Sequence, residues 1–233
     1  MRSDRGIALI LVILVISFLV AIGLGLALMM VMDRLASGNF RGSVALLYAA
    51  DAALELAVRD VAQLGDWDLA LAGVARGRVV DGDDSGVRAI PGGGEIDLSA
   101  AAHQLNCGRP AACSDAQMSA NSRERPWGPN NARWRLFASG PSGNFVQFSR
   151  PIPAYLAIWV ADDGREEDGD PERDAPPGAP GHGVIRVRVD AYGPLGARRS
   201  IEAELARLCL DAAEACRQGT RVQSWREVRQ AVP

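Results

Sequence analysis

The chain has 233 residues, 48% of them hydrophobic and 6% aromatic, with a net charge of −3. That balance gives no support for a nucleic-acid partner, and all 25 basic residues are Arg. Setting aside about 32 residues as a membrane segment leaves about 200, enough for one domain with a core of its own.

The run from Gly6 to Met32 holds 27 residues and no charge, with Ser17 its only hydroxyl. At 1.5 Å per residue a helix of that length spans roughly 40 Å, more than a hydrocarbon core of about 30 Å. It is too long for the apolar core of a cleaved secretory signal, and its small residues Ala21, Gly23 and Gly25 lie inside the run. Arg2 and Arg5 precede it, with Asp4 between them. Arg34 and Arg41 follow it, so the charge bias is weak, and the short basic tail favours an N-terminus inside and the rest of the chain outside.

Residues 33–39 read as helix weakened at Gly38. From Arg41 to Leu64 the apolar positions Val44, Leu47, Ala50, Leu54, Ala57, Val58, Val61 and Leu64 repeat with a helical period. Asp51, Glu55 and Arg59 follow at i+4 steps on the polar side, and Gly65-Asp66 ends the helix. Two arrangements are open: one continuous helix, or two joined at Gly38. Residues 66–73 read as a helical turn, 81–95 as a Gly/Asp-rich loop, and 99–131 as a long stapled loop.

The cysteines form two local pairs, Cys107/Cys113 and Cys209/Cys216. Zinc sites bring ligands closer in sequence or add histidines, and the only histidines are His103 and His182. Two short-loop disulfides are the favoured reading, which places the domain in an oxidising compartment, periplasmic or extracellular. Free core cysteines are the alternative.

Strand patterns cluster at 133–138, 145–148, 155–161, 184–192 and 198–208, with a turn at 193–196. Arg186, Arg188 and Asp190 fall on one face of the fourth, and Ile201, Ala203 and Leu205 on one face of the fifth. The expected fold is α+β: a long N-terminal transmembrane and amphipathic helix packed on a C-terminal antiparallel sheet with one polar side. The segment after Cys216 reads as a polar tail that Trp225 would dock.

Eight acids crowd the loop between two strands: Asp162, Asp163, Glu166, Glu167, Asp168, Asp170, Glu172 and Asp174. Calcium favours carboxylates in a flexible loop, which makes Asp162, Asp163, Asp168, Asp170 and Asp174 candidate ligands. The spacing does not match an EF-hand, and Pro171, Pro176, Pro177 and Pro180 equally suit an extended, solvated loop. No nucleophile elbow, zinc-protease helix or phosphate-binding glycine loop occurs, so no enzymatic activity is expected. Arg133-Trp134-Arg135 would be the place to look for nucleic-acid contacts, but basic residues are otherwise dispersed.

Three stretches carry a family resemblance. Asp4-Arg5-Gly6-Ile7-Ala8-Leu9-Ile10-Leu11-Val12 resembles the opening of PilX-type minor pilins of type IV pili. Ser37-Gly38-Asn39-Phe40-Arg41, followed by Ala49-Ala50-Asp51-Ala52-Ala53-Leu54-Glu55, is similar to that family's second signature. The resemblance covers about residues 4–64.

It implies cleavage by prepilin peptidase between Gly6 and Ile7, and N-methylation of Ile7. The implied organisation is a leader at 1–6, a transmembrane helix at 7–32, an amphipathic extension at 33–64 and a β-rich domain at 65–233. The implied partners are other pilin subunits, the pilus assembly machinery, the peptidase and the inner membrane. The domain would be periplasmic and then displayed at the cell surface. Major pilins carry Glu four residues after the first mature Phe, whereas this chain has Ile7 and Leu11. That departure suits a minor subunit rather than a repeating shaft subunit. K-type minor pseudopilins of type II secretion share it and are the alternative, beside a membrane-anchored periplasmic binding domain.

Overall fold

The computed structural model describes residues 5–121, 133–166, 168–179, 181–208 and 219–228. The chain divides into two compact units, Met1–Gly42 and Ser43–Pro233. Helix α1, Arg5–Gln63, is continuous for 59 residues, so Gly38 does not split it in two.

In the first unit the large apolar side chains from Ile7 to Met32 are 44–71% exposed. By length and composition this stretch can cross a membrane.

In the second unit α1 buries a face made of Leu46, Ala49, Ala50, Ala53, Leu54, Ala57 and Val61. Four of these seven are alanines, which lets the helix backbone approach its neighbours closely. Asp51, Glu55 and Arg59 are exposed, as the i+4 pattern requires. The buried stripe is turned from the expected one: Leu46, Ala49 and Ala53 are inside, while Val44, Leu47 and Val58 are half-buried. A short turn of helix, α2 (Asp68–Leu71), follows and seats Trp67, whose Nε1 donates to the Val61 carbonyl at 3.1 Å.

A two-stranded hairpin, β1 (Val87–Ala89) with β2 (Glu95–Asp97), lies where the sequence suggested only loop. Gly92, Gly93 and Gly94 all take positive φ at its tip, so a glycine-rich stretch reads as loop although its flanks pair. Helices α3 (Leu98–Cys107) and α4 (Asp115–Asn121) likewise replace part of the expected stapled loop. Asp97 caps α3 by accepting from the Ser99 and Ala100 amides, and Gly108 ends it in the left-handed conformation.

The main sheet has five antiparallel strands in the order β3 (Arg135–Pro141), β4 (Tyr155–Asp162), β5 (Val184–Tyr192), β6 (Arg198–Arg207) and β7 (Thr220–Glu227). Two expectations are corrected here. Residues 145–148 are not a strand: Ser142–Phe145 forms the short helix α5, since Pro141 starts a turn there. The segment read as a polar tail contains β7, whose mixed polar composition suits an edge strand with little buried surface.

The face of the sheet towards α1 carries Leu156, Ile158, Val160, Ile185, Val187, Val189, Ile201, Ala203 and Leu205. The opposite face was expected to be solvated, yet all eight residues of β4 are buried. Over β3 and β4 it carries Leu136, Tyr155, Ala157 and Trp159, packed with Ile90, Leu98 and Ala101 of the hairpin region and α3. Over β5 to β7 it is ionic. The α+β class, with the helix on one face of an antiparallel sheet, is therefore the observed one.

Candidate functional site

Gly6 and Ile7 lie in the first turns of α1, and Ile7 is exposed. Gly23 and Gly25, further along the apolar stretch, have open space where a Cβ would stand. That leaves room for a neighbouring helix to approach closely. Cys107 and Cys113 are joined in a disulfide that closes the turn after α3, with Cα atoms 6.1 Å apart. Cys209 and Cys216 lie outside the described residues.

Most acids of the β4–β5 connection are engaged by their own loop. Asp162 Oδ1 accepts from the Asp163 amide at 2.9 Å, and Asp163 Oδ1 accepts from the Arg165 amide at 3.1 Å. Asp168 accepts from the Asp170 amide at 2.9 Å, and Asp170 from the Glu172 amide at 3.2 Å. This is the repeating side-chain-to-backbone turn that acids two residues apart can build. Asp174 accepts from the Gly183 amide at 2.7 Å, and its own amide donates to Asp68 at 3.0 Å. His182 Nδ1 sits 3.7 Å from Asp174 Oδ2. Arg135 ion-pairs with Glu172 and Arg165 with Asp163.

The five candidate calcium ligands are thus distributed along the loop in separate turns. Among the described residues no group of three or more His, Cys, Asp or Glu side chains converges on a place for a metal ion.

Glu166 is fully buried at the centre of this connection, where Asp162, Asp168 and Asp174 are close in charge. Burial first, then these neighbouring carboxylates, push its carboxyl up to about 9. Asp174 is also raised, mainly by burial, against the lowering influence of the Gly183 amide, His182 and Arg207. Gly181 has positive φ, and a Cβ there would overlap the Glu166 side chain, so the glycine closes the loop over the buried acid.

The ionic half of the sheet was only partly visible in the sequence, through Arg186, Arg188 and Asp190. Asp190 is fully buried and accepts from Arg188 at 3.2 Å and from Ser200, with Arg198 at 3.1 Å. Glu202 is 2.9 Å from Arg226, 3.7 Å from Arg186 and 3.9 Å from Arg188. Arg186 also stacks on Trp134, 5.2 Å from the ring centroid. Beside this network, Asp163, Arg165, Glu204 and Ser224 help line a cleft of about 430 Å³. Its basic and acidic groups balance in number, so it presents no single-sign field.

The Arg133-Trp134-Arg135 segment is committed to structure. Arg133 donates to the Asp115 carbonyl and to Ser119. The edge of β3 is bordered by residues 77–80, with the Gly77 amide donating to the Phe137 carbonyl at 2.9 Å. His103 Nδ1 is 3.2 Å from the Pro110 carbonyl, within the stapled turn.

No family model, no curated protein and no solved structure matches this chain.

Proposed function

We propose that the chain is a minor pilin-like structural subunit, of the PilX type, that takes part in type IV pilus assembly. One observation carries this reading. A single 59-residue helix is apolar and exposed over its first half, and in its second half buries an alanine-rich face against an antiparallel sheet. Such a helix serves as a membrane anchor and as a packing element for other helices of the same kind. The words Asp4-Arg5-Gly6-Ile7 and Ser37-Gly38-Asn39-Phe40-Arg41 support the same reading.

In this account prepilin peptidase cuts after Gly6 and Ile7 becomes the methylated N-terminus. The subunit is held in the inner membrane with its domain in the periplasm until the helix leaves the bilayer and enters a filament. Burial among neighbouring helices contributes at about 25 cal/mol per Å² of apolar surface, and the loss of lipid contact offsets much of it. The role is structural, with no catalytic step. Leu11, in the place where a shaft subunit carries Glu, favours a minor position and equally suits a K-type pseudopilin of type II secretion.

The test is the full chain carrying Gly6→Val, expressed in cells that assemble the filament. The expected result is a chain that keeps residues 1–6, remains in the membrane fraction and is absent from sheared filaments. Filaments that contain the uncleaved variant would contradict the proposal.

A further inference from the structure

The connection from β4 to β5 closes over a carboxyl group. Glu166 is fully buried, and a Cβ on Gly181 would overlap its Cγ. Gly181 also takes a φ of +89°, so the space and the backbone there both call for glycine. Asp174, halfway along the connection, donates its amide to Asp68 of α2 at 3.0 Å. Its Oδ1 accepts from the Gly183 amide at 2.7 Å, just before β5. The Gly183 carbonyl accepts from the Arg207 amide at 2.8 Å. Arg207 stacks on Trp67, 4.4 Å from the ring centroid, and donates to the Gly65 carbonyl at 3.2 Å. The connection and the end of β6 thus hold the turn that follows α1 from two sides.

We propose that the β4–β5 connection is a latch between the sheet and α2, closed while the Glu166 carboxyl holds a proton and opened when that proton leaves. The proposal is independent of the filament reading. It rests on where the buried carboxyl sits and on what closes over it.

The largest charges acting on Glu166 are all carboxylates: Asp162 at the end of β4, and Asp174 and Asp168 of the connection itself. Asp163, also buried, is ion-paired with Arg165. The groups acting on Asp174 from the surrounding elements are His182, Arg207 of β6 and Asp68 of α2. Ionised in place, Glu166 would add a further negative charge to a buried position already bordered by three carboxylates. A buried charge with no cation against it is costly. The open connection gives that charge to water and forgoes only a few hydrogen bonds of modest net worth.

The sign of the pH dependence follows from the proton count. The closed form keeps the Glu166 proton up to about 9, and the open form releases it above the ordinary 4.5. Opening therefore releases one proton anywhere inside that window. The open fraction should rise about ten-fold per pH unit across it. Local opening of this kind leaves the central strands protected, since they open only with the whole domain.

The experiment is hydrogen–deuterium exchange of the full chain in detergent micelles, read by mass spectrometry on peptides from the connection and from β5. Protection of the 174–183 amides, corrected for the intrinsic pH dependence of exchange, should fall about ten-fold per unit between pH 6 and 9. It should also lie at least about ten-fold below the protection of 185–191. In Glu166→Gln the same amides should change by no more than about three-fold over that range. Gly181→Ala places a Cβ against Glu166, and should strip protection from 174–183 at pH 6 while 185–191 stays protected. That variant keeps the test decisive if the glutamine variant does not fold. Exchange of the connection only together with β5, or a wild-type pH dependence that Glu166→Gln retains, would overturn the proposal. So would a connection that stays protected in folded Gly181→Ala.

Discussion

Glu166 is the residue where the chemistry of the domain is most unusual. Burial and the neighbouring carboxylates push its carboxyl up from 4.5 to about 9, so the native state keeps a proton that the unfolded chain releases. The native state therefore binds more protons throughout that window, and stability falls as pH rises from about 4.5 towards 9. Asp174, also raised, contributes with the same sign. Glu166→Gln keeps the shape and removes the titration. Its melting temperature should decline less than wild type across that range, with the two proteins closest in acid. A Glu166→Gln variant whose melting temperature declines with pH as steeply as the wild type's would show that Glu166 is ionised in the fold. The sequence displayed Glu166 as one of eight acids and gave no sign that it is buried with its carboxyl so strongly raised. That distinction depends on Gly181, fifteen residues away, closing over it.

At the scale of elements, the alanines of α1 decide how close the helix lies to the sheet. Ala49, Ala50 and Ala53 are fully buried, and Leu46 meets the turn after β5, where a Cβ on Gly193 would stand 2.8 Å from Leu46 Cδ1. Ala53→Leu should therefore cost about 1–3 kcal/mol through overpacking. The check is denaturant unfolding beside Asp51→Ala at the exposed side, which should change stability by less than about 0.5 kcal/mol. Equal effects at the two positions would mean that the face assignment is wrong.

The helix, its polar side and the central strands were legible because period and charge spacing are local signals. Val184–Tyr192 alternates so regularly that its faces could be assigned from sequence. The turn of the stripe towards Ala49 and Ala53 was not legible, since alanine has little hydrophobic weight and packs by being small. β7 was missed for a different reason. Thr220–Glu227 is mostly exposed, and an edge strand is defined by the neighbour it pairs with rather than by its own pattern. The α1-facing side of the sheet followed from alternation. The covering of its other side did not, because Ile90, Leu98 and Ala101 arrive from segments that read as loop.

At the scale of the molecule, the two units have different surfaces. The Met1–Gly42 unit exposes leucines, isoleucines, valines and methionines from Ile7 onward, while the Ser43–Pro233 unit holds one core between α1 and its sheet and a second over β3 and β4. A surface of the first kind is stable in lipid or among similar helices. The disulfide between Cys107 and Cys113 suits an oxidising compartment for the second unit. These features meet in the proposal of a subunit that waits in a membrane and leaves it for a filament. In the sequence, that proposal rests on the uncharged run and the residues around Gly6 and Gly38. Among the described residues of the second unit, the proposal draws on no pocket or polar constellation.

The intact mass and N-terminal sequence of the protein purified from its own cells test this account most directly. The account predicts a mature chain that begins at Ile7 with a methylated amino group and is missing residues 1–6. A mature chain that still begins at Met1 or Arg2 would contradict it, and would leave a membrane-anchored domain whose function lies elsewhere.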